Sequence, residues 1–187
     1  MNKIREEAAA FAKESIALQK FAEEHNIDIG VAPTFLSLCK VRKENPNLCV
    51  AAQNCHFEDH GAFTGEISVP MLLDLGITWC LVGHSERRTY FAETNETCNK
   101  KLKVLAANKM VPIYCVGETL AEFEAGDTKK VIKAQVLEGL EGISKEDART
   151  FVIAYEPVWS IGTGKNASTE IAEDICGYIR SFNKDLI

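Results

Sequence analysis

Residues 151–165 read FVIAYEPVWSIGTGK, an apolar run followed by a more polar loop. The run covers residues 151–155, and Glu156 and Pro157 come directly after it. A proline holds the residue before it in an extended conformation, and a short uninterrupted apolar run is typical of a strand buried on both faces. The segment therefore predicts a strand of a parallel sheet with Glu156 at its carboxyl end.

Runs of the same kind recur along the chain at intervals that leave room for a helix between them. The predicted strands are residues 27–32, 48–52, 78–82, 111–116 and 151–155. The predicted helices are residues 3–24, 36–44, 69–75, 96–108, 129–140 and 169–182. Alternating strands and helices without a proline- or glycine-rich linker indicate one α/β domain over residues 1–187, with right-handed crossovers. The pattern fits both a closed eight-stranded barrel and an open doubly wound sheet.

Composition and charge disfavour several classes of protein. The chain has 187 residues, of which 46% are hydrophobic and 26% charged, and its formal net charge is −6. This balance is ordinary for a globular domain, and it disfavours nucleic acid or an anionic membrane as a partner. No apolar run approaches the ~20 residues that a membrane span needs, and the start of the chain lacks the apolar core of a signal peptide. We therefore expect a cytoplasmic protein.

The cysteines are expected to be free thiols rather than a disulfide framework. There are seven of them, an odd number, and a reducing compartment disfavours disulfides. A zinc site is the weaker alternative, because the candidate ligands show no paired Cys-x2-Cys spacing. Those candidates are Cys49, Cys55, His56 and His60. No metal is expected.

Polar side chains follow the predicted strands, where chemistry collects in parallel α/β folds. His84 lies between the strand at 78–82 and a predicted short helix, whose N-terminus would keep the imidazole neutral and able to donate a hydrogen bond. A histidine bound only by nearby backbone is the alternative. Glu156 would reach the mouth of the sheet, where a partly desolvated carboxylate can move a proton to and from carbon; a solvated carboxylate is the alternative. The loop at 158–165 is either a lid over a ligand or an ordinary loop whose Trp159 packs on the rim.

Four sequence blocks stand out: AAQN at 51–54, GAFTGE at 61–66, GHSERR at 83–88 and AYEPVWSIGTGK at 154–165. In this order they closely resemble blocks of the triosephosphate isomerase family, and the resemblance covers residues 1–187. The resemblance implies a TIM (β/α)8 barrel, present here as about five of its eight strands. It also implies the interconversion of dihydroxyacetone phosphate and D-glyceraldehyde 3-phosphate through an enediol, in glycolysis and gluconeogenesis, without cofactor or metal.

The resemblance assigns a role to each matching site residue. It implies that Glu156 is the catalytic base and His84 the electrophile. Glu86 is similar to a catalytic-site carboxylate of the family, and Gly162 to a lid glycine whose backbone N–H binds the substrate phosphate. A lid closed over the site would exclude water from the enediol.

The resemblance also implies a homodimer, joined through the loop at 61–66 with Thr64 at its tip. A surface turn is the alternative, but it would leave the large apolar side chain of Phe63 in water. The loop is therefore expected to bury Phe63 in a partner subunit.

Two features of the family are not found in this sequence. They are a first strand ending in Asn-x-Trp-Lys and two further strands after residue 187. We therefore expect an incomplete barrel, inactive or nearly so when produced alone, because the lysine would stabilise the enediolate. A non-catalytic interaction module that keeps the Thr64 loop is the alternative, although such a module has no need of His84 and Glu156 together. Another phosphate-binding barrel enzyme would require different residues after the strands.

Overall fold

The computed structural model describes residues 2–161, 164 and 166–186. The chain forms two compact units, residues 1–81 and 82–187. Each unit combines parallel strands with helices packed on them. In the part of the chain that is described, no helix has the length and apolar character needed to cross a membrane.

The first unit places one parallel strand between two others. Its helices are α1 (Arg5–Glu14), α2 (Ile16–His25), α3 (Leu38–Glu44) and α4 (Val69–Asp74), and its strands are β1 (Gly30–Val31), β2 (Cys49–Ala52) and β3 (Trp79–Val82), whose last residue opens the second unit. The central strand β2 pairs in parallel with β1 and with β3. Val50, Ala51 and Ala52 are all buried. Consecutive buried residues show that both faces of β2 are covered, as its apolar run predicts.

The second unit contains two paired parallel strands and six α-helices among its described residues. Its helices are α5 (Ser85–Tyr90), α6 (Asn95–Ala107), α7 (Leu120–Glu124), α8 (Thr128–Gly139), α9 (Lys145–Ala148) and α10 (Thr169–Leu186), and its further strands are β4 (Val111–Val116) and β5 (Val152–Tyr155). The register sets Val116 opposite Tyr155. Glu156 continues the ladder, since its backbone N–H donates to the Val116 carbonyl at 2.8 Å. The two strands therefore end together, and the residues that follow them meet at one edge.

The predicted strands and most predicted helices are confirmed, with three differences. The helix predicted at 3–24 is interrupted at Ser15, whose hydroxyl donates to the Ala12 carbonyl at 2.7 Å; such back-bonding bends helices. The strand predicted at 27–32 is only Gly30–Val31. The short helices α7 and α9 were not predicted, because four or five residues are too few to show a helical period. A single domain over residues 1–187 stays a prediction.

Candidate active site

His84 stands at the junction of β3 and α5, on a backbone held from two sides. Gly83 precedes it with φ of +77°, a conformation that glycine adopts readily. The Gly83 N–H donates to Glu93 Oε1 at 3.1 Å, and the Gly83 carbonyl accepts from Arg88 Nε at 2.9 Å. Both polar groups of this glycine are thus fixed by side chains, and His84 begins from a defined position.

Glu93 is the buried centre of the charged cluster behind His84. Its side chain is only 2% exposed and accepts from Arg87 Nε at 2.9 Å and from Lys101 Nζ at 3.1 Å. Burial opposes ionisation of this carboxyl, but Lys101, Arg87 and the Gly83 N–H together outweigh burial and hold the pKa of Glu93 below its usual value. The carboxylate is therefore charged, and it ties the loop before His84 to α5 and α6.

The imidazole of His84 has a defined orientation and tautomer. Its Nδ1 accepts from the backbone N–H of Glu86 at 3.3 Å, as an N-cap of α5. An accepting Nδ1 carries no proton, so the neutral ring has its proton on Nε2. That Nε2 lies 3.1 Å from Glu156 Oε1. The ring therefore presents an N–H donor to the end of β5.

Glu156 brings its carboxylate to the same place from the neighbouring strand end. Its Oε1 accepts from the Ser85 hydroxyl at 2.7 Å, and its Oε2 accepts from the Ser85 backbone N–H at 3.0 Å. The side chain is 17% exposed and that of His84 is 35% exposed. A half-buried carboxylate and an imidazole N–H are thus held together, with a face of each open to a small molecule.

A second buried carboxylate supports the segment after Glu156. Glu118 is fully buried, and its Oε1 accepts from Trp159 Nε1 at 2.8 Å and from the Tyr155 hydroxyl at 3.1 Å. The Trp159 ring stacks on Phe123 with 4.3 Å between centroids. Trp159 is consequently buried, as the packing alternative predicted, whereas Ile161 is 46% exposed.

The thiols and phenols around the site stay protonated. Burial raises the pKa of Cys115 to about 12, and the charge of Glu156 adds to the effect. Burial likewise raises the pKa of Cys98 to about 12. The pKa of Tyr155 is raised by burial and then by the carboxylate of Glu118. These groups are therefore unsuited to act as nucleophiles.

Of the predicted site residues, His84 and Glu156 are brought into direct contact. Glu86 lies beside them: its carboxylate is 3.9 Å from His84 Nδ1 and its side chain is 70% exposed. Gly162 lies outside the described residues. Thr64 is exposed. Phe63 beside it is 44% exposed, and its ring meets that of His56 in a tilted arrangement with 4.3 Å between centroids. No group of three or more candidate metal ligands is found within the described ranges.

Two polar residues at the site were not singled out from the sequence. Ser85 supplies two donors to Glu156, its hydroxyl and its backbone N–H, and its position directly after His84 was the available signal. Gln135 binds both backbone groups of Gly117, the residue after β4. Its signal was a polar residue beside Ile132, Val136 and Gly139 on the buried face of α8.

Comparisons with known proteins identify relatives of this chain. The family model described as triosephosphate isomerase matches residues 1–187. The triosephosphate isomerase of Carboxydothermus hydrogenoformans is 48% identical over 182 residues, which cover 96% of this chain and 72% of that protein. That of Clostridium botulinum strain Langeland is 46% identical over 188 residues, covering 100% and 75%. That of Clostridium perfringens strain SM101 is 49% identical over 166 residues, covering 88% and 67%.

The matches also decide between the two architectures that the strand pattern left open. The family fold is the (β/α)8 barrel, and the parallel pairs β1–β2, β2–β3 and β4–β5 are part of such a barrel. An open doubly wound sheet is thereby excluded. The chain belongs to the triosephosphate isomerase family.

Proposed function

We propose that the chain interconverts dihydroxyacetone phosphate and D-glyceraldehyde 3-phosphate, with Glu156 as the base and His84 as the electrophile. The observation that supports these roles is the 3.1 Å separation of His84 Nε2 from Glu156 Oε1. A carboxylate and an imidazole N–H this close can both reach one three-carbon substrate. These are the roles known for triosephosphate isomerase.

The reaction follows from the chemistry of the two groups. Glu156 accepts a proton from the carbon next to the carbonyl of dihydroxyacetone phosphate, while the His84 N–H donates a hydrogen bond to the carbonyl oxygen as charge develops there. Proton exchange with the His84 ring completes the enediol and then resolves it: the former carbonyl oxygen gains a proton and the hydroxyl oxygen on the neighbouring carbon loses one. Return of the proton from Glu156 to the former carbonyl carbon then gives the aldose. The Ser85 donors stabilise the carboxylate before reaction. Substrate must therefore draw Glu156 away from Ser85 before the carboxylate can reach carbon.

Other parts of the site extend the proposal. Glu86 contributes through its backbone N–H, which fixes the His84 tautomer, and through a carboxylate at the rim. The backbone N–H of Gly162 is proposed to bind the substrate phosphate under a closed lid. Partner subunits are proposed to meet at the Thr64 loop and form a homodimer, which would cover the half-exposed Phe63 ring. The enzyme would work in glycolysis and gluconeogenesis in the cytoplasm.

The test is isomerase activity of the unmodified chain, compared with Glu156→Gln and His84→Gln. Loss of a positioned acid or base typically lowers the rate about 100- to 10,000-fold, so we expect kcat to fall by that much in both variants. Glu124→Gln, at an exposed carboxylate of α7, is the matched control and should keep full activity.

Solvent exchange separates the two roles. In deuterated water the unmodified enzyme should transfer deuterium to the substrate carbon, and Glu156→Gln should abolish that transfer. Full activity or full exchange in Glu156→Gln would refute the assignment of the base. The opposing expectation from the sequence is little turnover, because the lysine that would stabilise the enediolate is not found in residues 1–187; the turnover of the unmodified chain decides between the two. If the unmodified chain shows no turnover but still associates through the Thr64 loop, the result would favour the alternative of a non-catalytic interaction module.

A further inference from the structure

Gln135 is a buried amide on a helix face that is otherwise apolar. It lies on α8 beside Ile132, Val136 and Gly139, all of which are buried, and it is only 9% exposed itself. Packing alone would favour an aliphatic side chain at such a position. A buried amide is tolerated when its polar atoms are bonded, so its partners indicate its purpose.

Both partners are the backbone groups of one residue. Gln135 Oε1 accepts from the Gly117 N–H at 2.8 Å, and Gln135 Nε2 donates to the Gly117 carbonyl at 2.9 Å. Gly117 follows the last residue of β4. The amide thus supplies one donor and one acceptor to a single residue, as a neighbouring antiparallel strand would. It continues the hydrogen-bonding of β4 by one residue past the end of the strand.

Gly117 in turn packs closely against the backbone of Glu156. A Cβ added at Gly117 would lie 1.7 Å from the Glu156 carbonyl oxygen. On one side of Gly117, the Val116 carbonyl accepts from the Glu156 N–H at 2.8 Å. On the other side, the Glu118 carboxylate accepts from Trp159 Nε1. Holding Gly117 in place therefore also holds the Glu156 backbone and the start of the loop after it, because both contact Gly117 or its neighbours.

We propose that Gln135 is a positioning residue that sets the place of the Glu156 carboxylate by clamping both backbone groups of Gly117. This inference rests on the proposed role of Glu156 as the base. Gln135 does not touch the carboxylate. It acts by holding the peptide units against which the Glu156 backbone packs.

Two variants separate positioning from simple packing. Gln135→Leu keeps the approximate size but removes the donor and the acceptor. Gln135→Glu keeps the acceptor for the Gly117 N–H, and it regains a donor for the Gly117 carbonyl only when the introduced carboxyl is protonated. Asn99→Leu is the matched control, because the Asn99 amide also donates to two backbone carbonyls, those of Gly139 (2.8 Å) and Glu141 (2.9 Å).

The kinetic experiment uses the full chain under conditions where every variant is folded. A misplacement of 1 Å can cost about 100-fold in rate, so we expect Gln135→Leu to lower kcat about 10- to 100-fold and to change KM far less. The kcat of Gln135→Glu relative to the unmodified enzyme should rise as the pH falls and the introduced carboxyl takes up a proton. Asn99→Leu should lose stability but keep its kcat.

A second readout does not depend on turnover. The Ser85 backbone N–H donates to Glu156 Oε2, so its proton chemical shift reports where the carboxylate lies. In Gln135→Leu this resonance should move upfield as the hydrogen bond lengthens, and in Asn99→Leu it should stay in place. If triose turnover is absent from the unmodified enzyme but the Ser85 shift changes, the proposed function fails and the positioning role stands. An unchanged Ser85 shift and kcat in folded Gln135→Leu would overturn the positioning role.

Discussion

A methyl group at Gly117 should inactivate the enzyme without touching a catalytic side chain. The added Cβ of Gly117→Ala would lie 1.7 Å from the Glu156 carbonyl oxygen and 2.8 Å from its carbonyl carbon, whereas real Cβ contacts are essentially never under 3.0 Å. Gly117 is not among the residues with positive φ, so backbone strain adds nothing. The cost comes from the contact alone, and it falls on Glu156, the residue proposed as the base.

The size of the effect follows from that contact. The strand ends must separate by more than about 1 Å, and a 1 Å misplacement of reacting groups can cost about 100-fold in rate. A loss of 100-fold corresponds to about 2.7 kcal/mol in the activation free energy. Forcing a methyl group into a packed interior should also lower the free energy of unfolding by about 1–3 kcal/mol. We therefore expect kcat to fall at least 100-fold in protein that is still folded.

The assay measures kcat and KM for Gly117→Ala together with its urea unfolding curve. Gly177→Ala is the matched control, because a Cβ at Gly177 in α10 meets nothing within 4 Å. That variant should keep its kcat and gain about 0.4–1 kcal/mol in stability. If Gly117→Ala retains kcat within about threefold of the unmodified enzyme, a separation of 1 Å did not occur. The close contact between the two strand ends would then not be what determines the position of the Glu156 carboxylate.

Two further predictions concern buried titratable groups. The lowered pKa of Glu93 means that its contribution to stability is present above the pKa of the unfolded chain and is lost as the pH falls through the lower native value. Glu93→Gln should lower the free energy of unfolding by about 3 kcal/mol at neutral pH. The variant's free energy of unfolding should also fall less steeply as the pH is lowered. Urea unfolding curves that show the same fall in acid for both proteins would contradict this. The pKa values of Cys98 and Cys115, each raised to about 12 by burial, predict that iodoacetamide spares both thiols in the native protein at mildly alkaline pH. Mass spectrometry should find them alkylated only after unfolding, and rapid native labelling would show that they are accessible.

The sequence alone predicts the strand ends at which His84 and Glu156 lie, because the signals there are local. An apolar run followed by Glu156 and Pro157 specifies a buried strand with a carboxylate at its end. His84 is placed by the same logic, between an apolar run and a helix start. The contact between the two side chains then follows from parallel strands, whose carboxyl ends share an edge. The sequence-predicted pair is the pair found in contact.

What the sequence does not predict depends on partners that are distant along the chain. Ser85 binds Glu156 across 71 positions, and no local pattern selects that partner. The burial of Trp159 depends on Phe123 in α7, a helix too short to show a period. Gln135 interrupts the apolar face of its helix, so a periodicity argument treats it as an exception. The presence of Gln135 at this position is explained only by its hydrogen bonds to the backbone groups of Gly117.

The cap on His84 Nδ1 has a consequence for mutation. Its donor is the peptide N–H of residue 86 rather than a side chain, so every amino acid except proline can supply it. Glutamate and proline codons differ at more than one nucleotide. No single-nucleotide missense substitution in codon 86 can therefore remove this donor, so the orientation of the imidazole tolerates every such amino-acid change at that position.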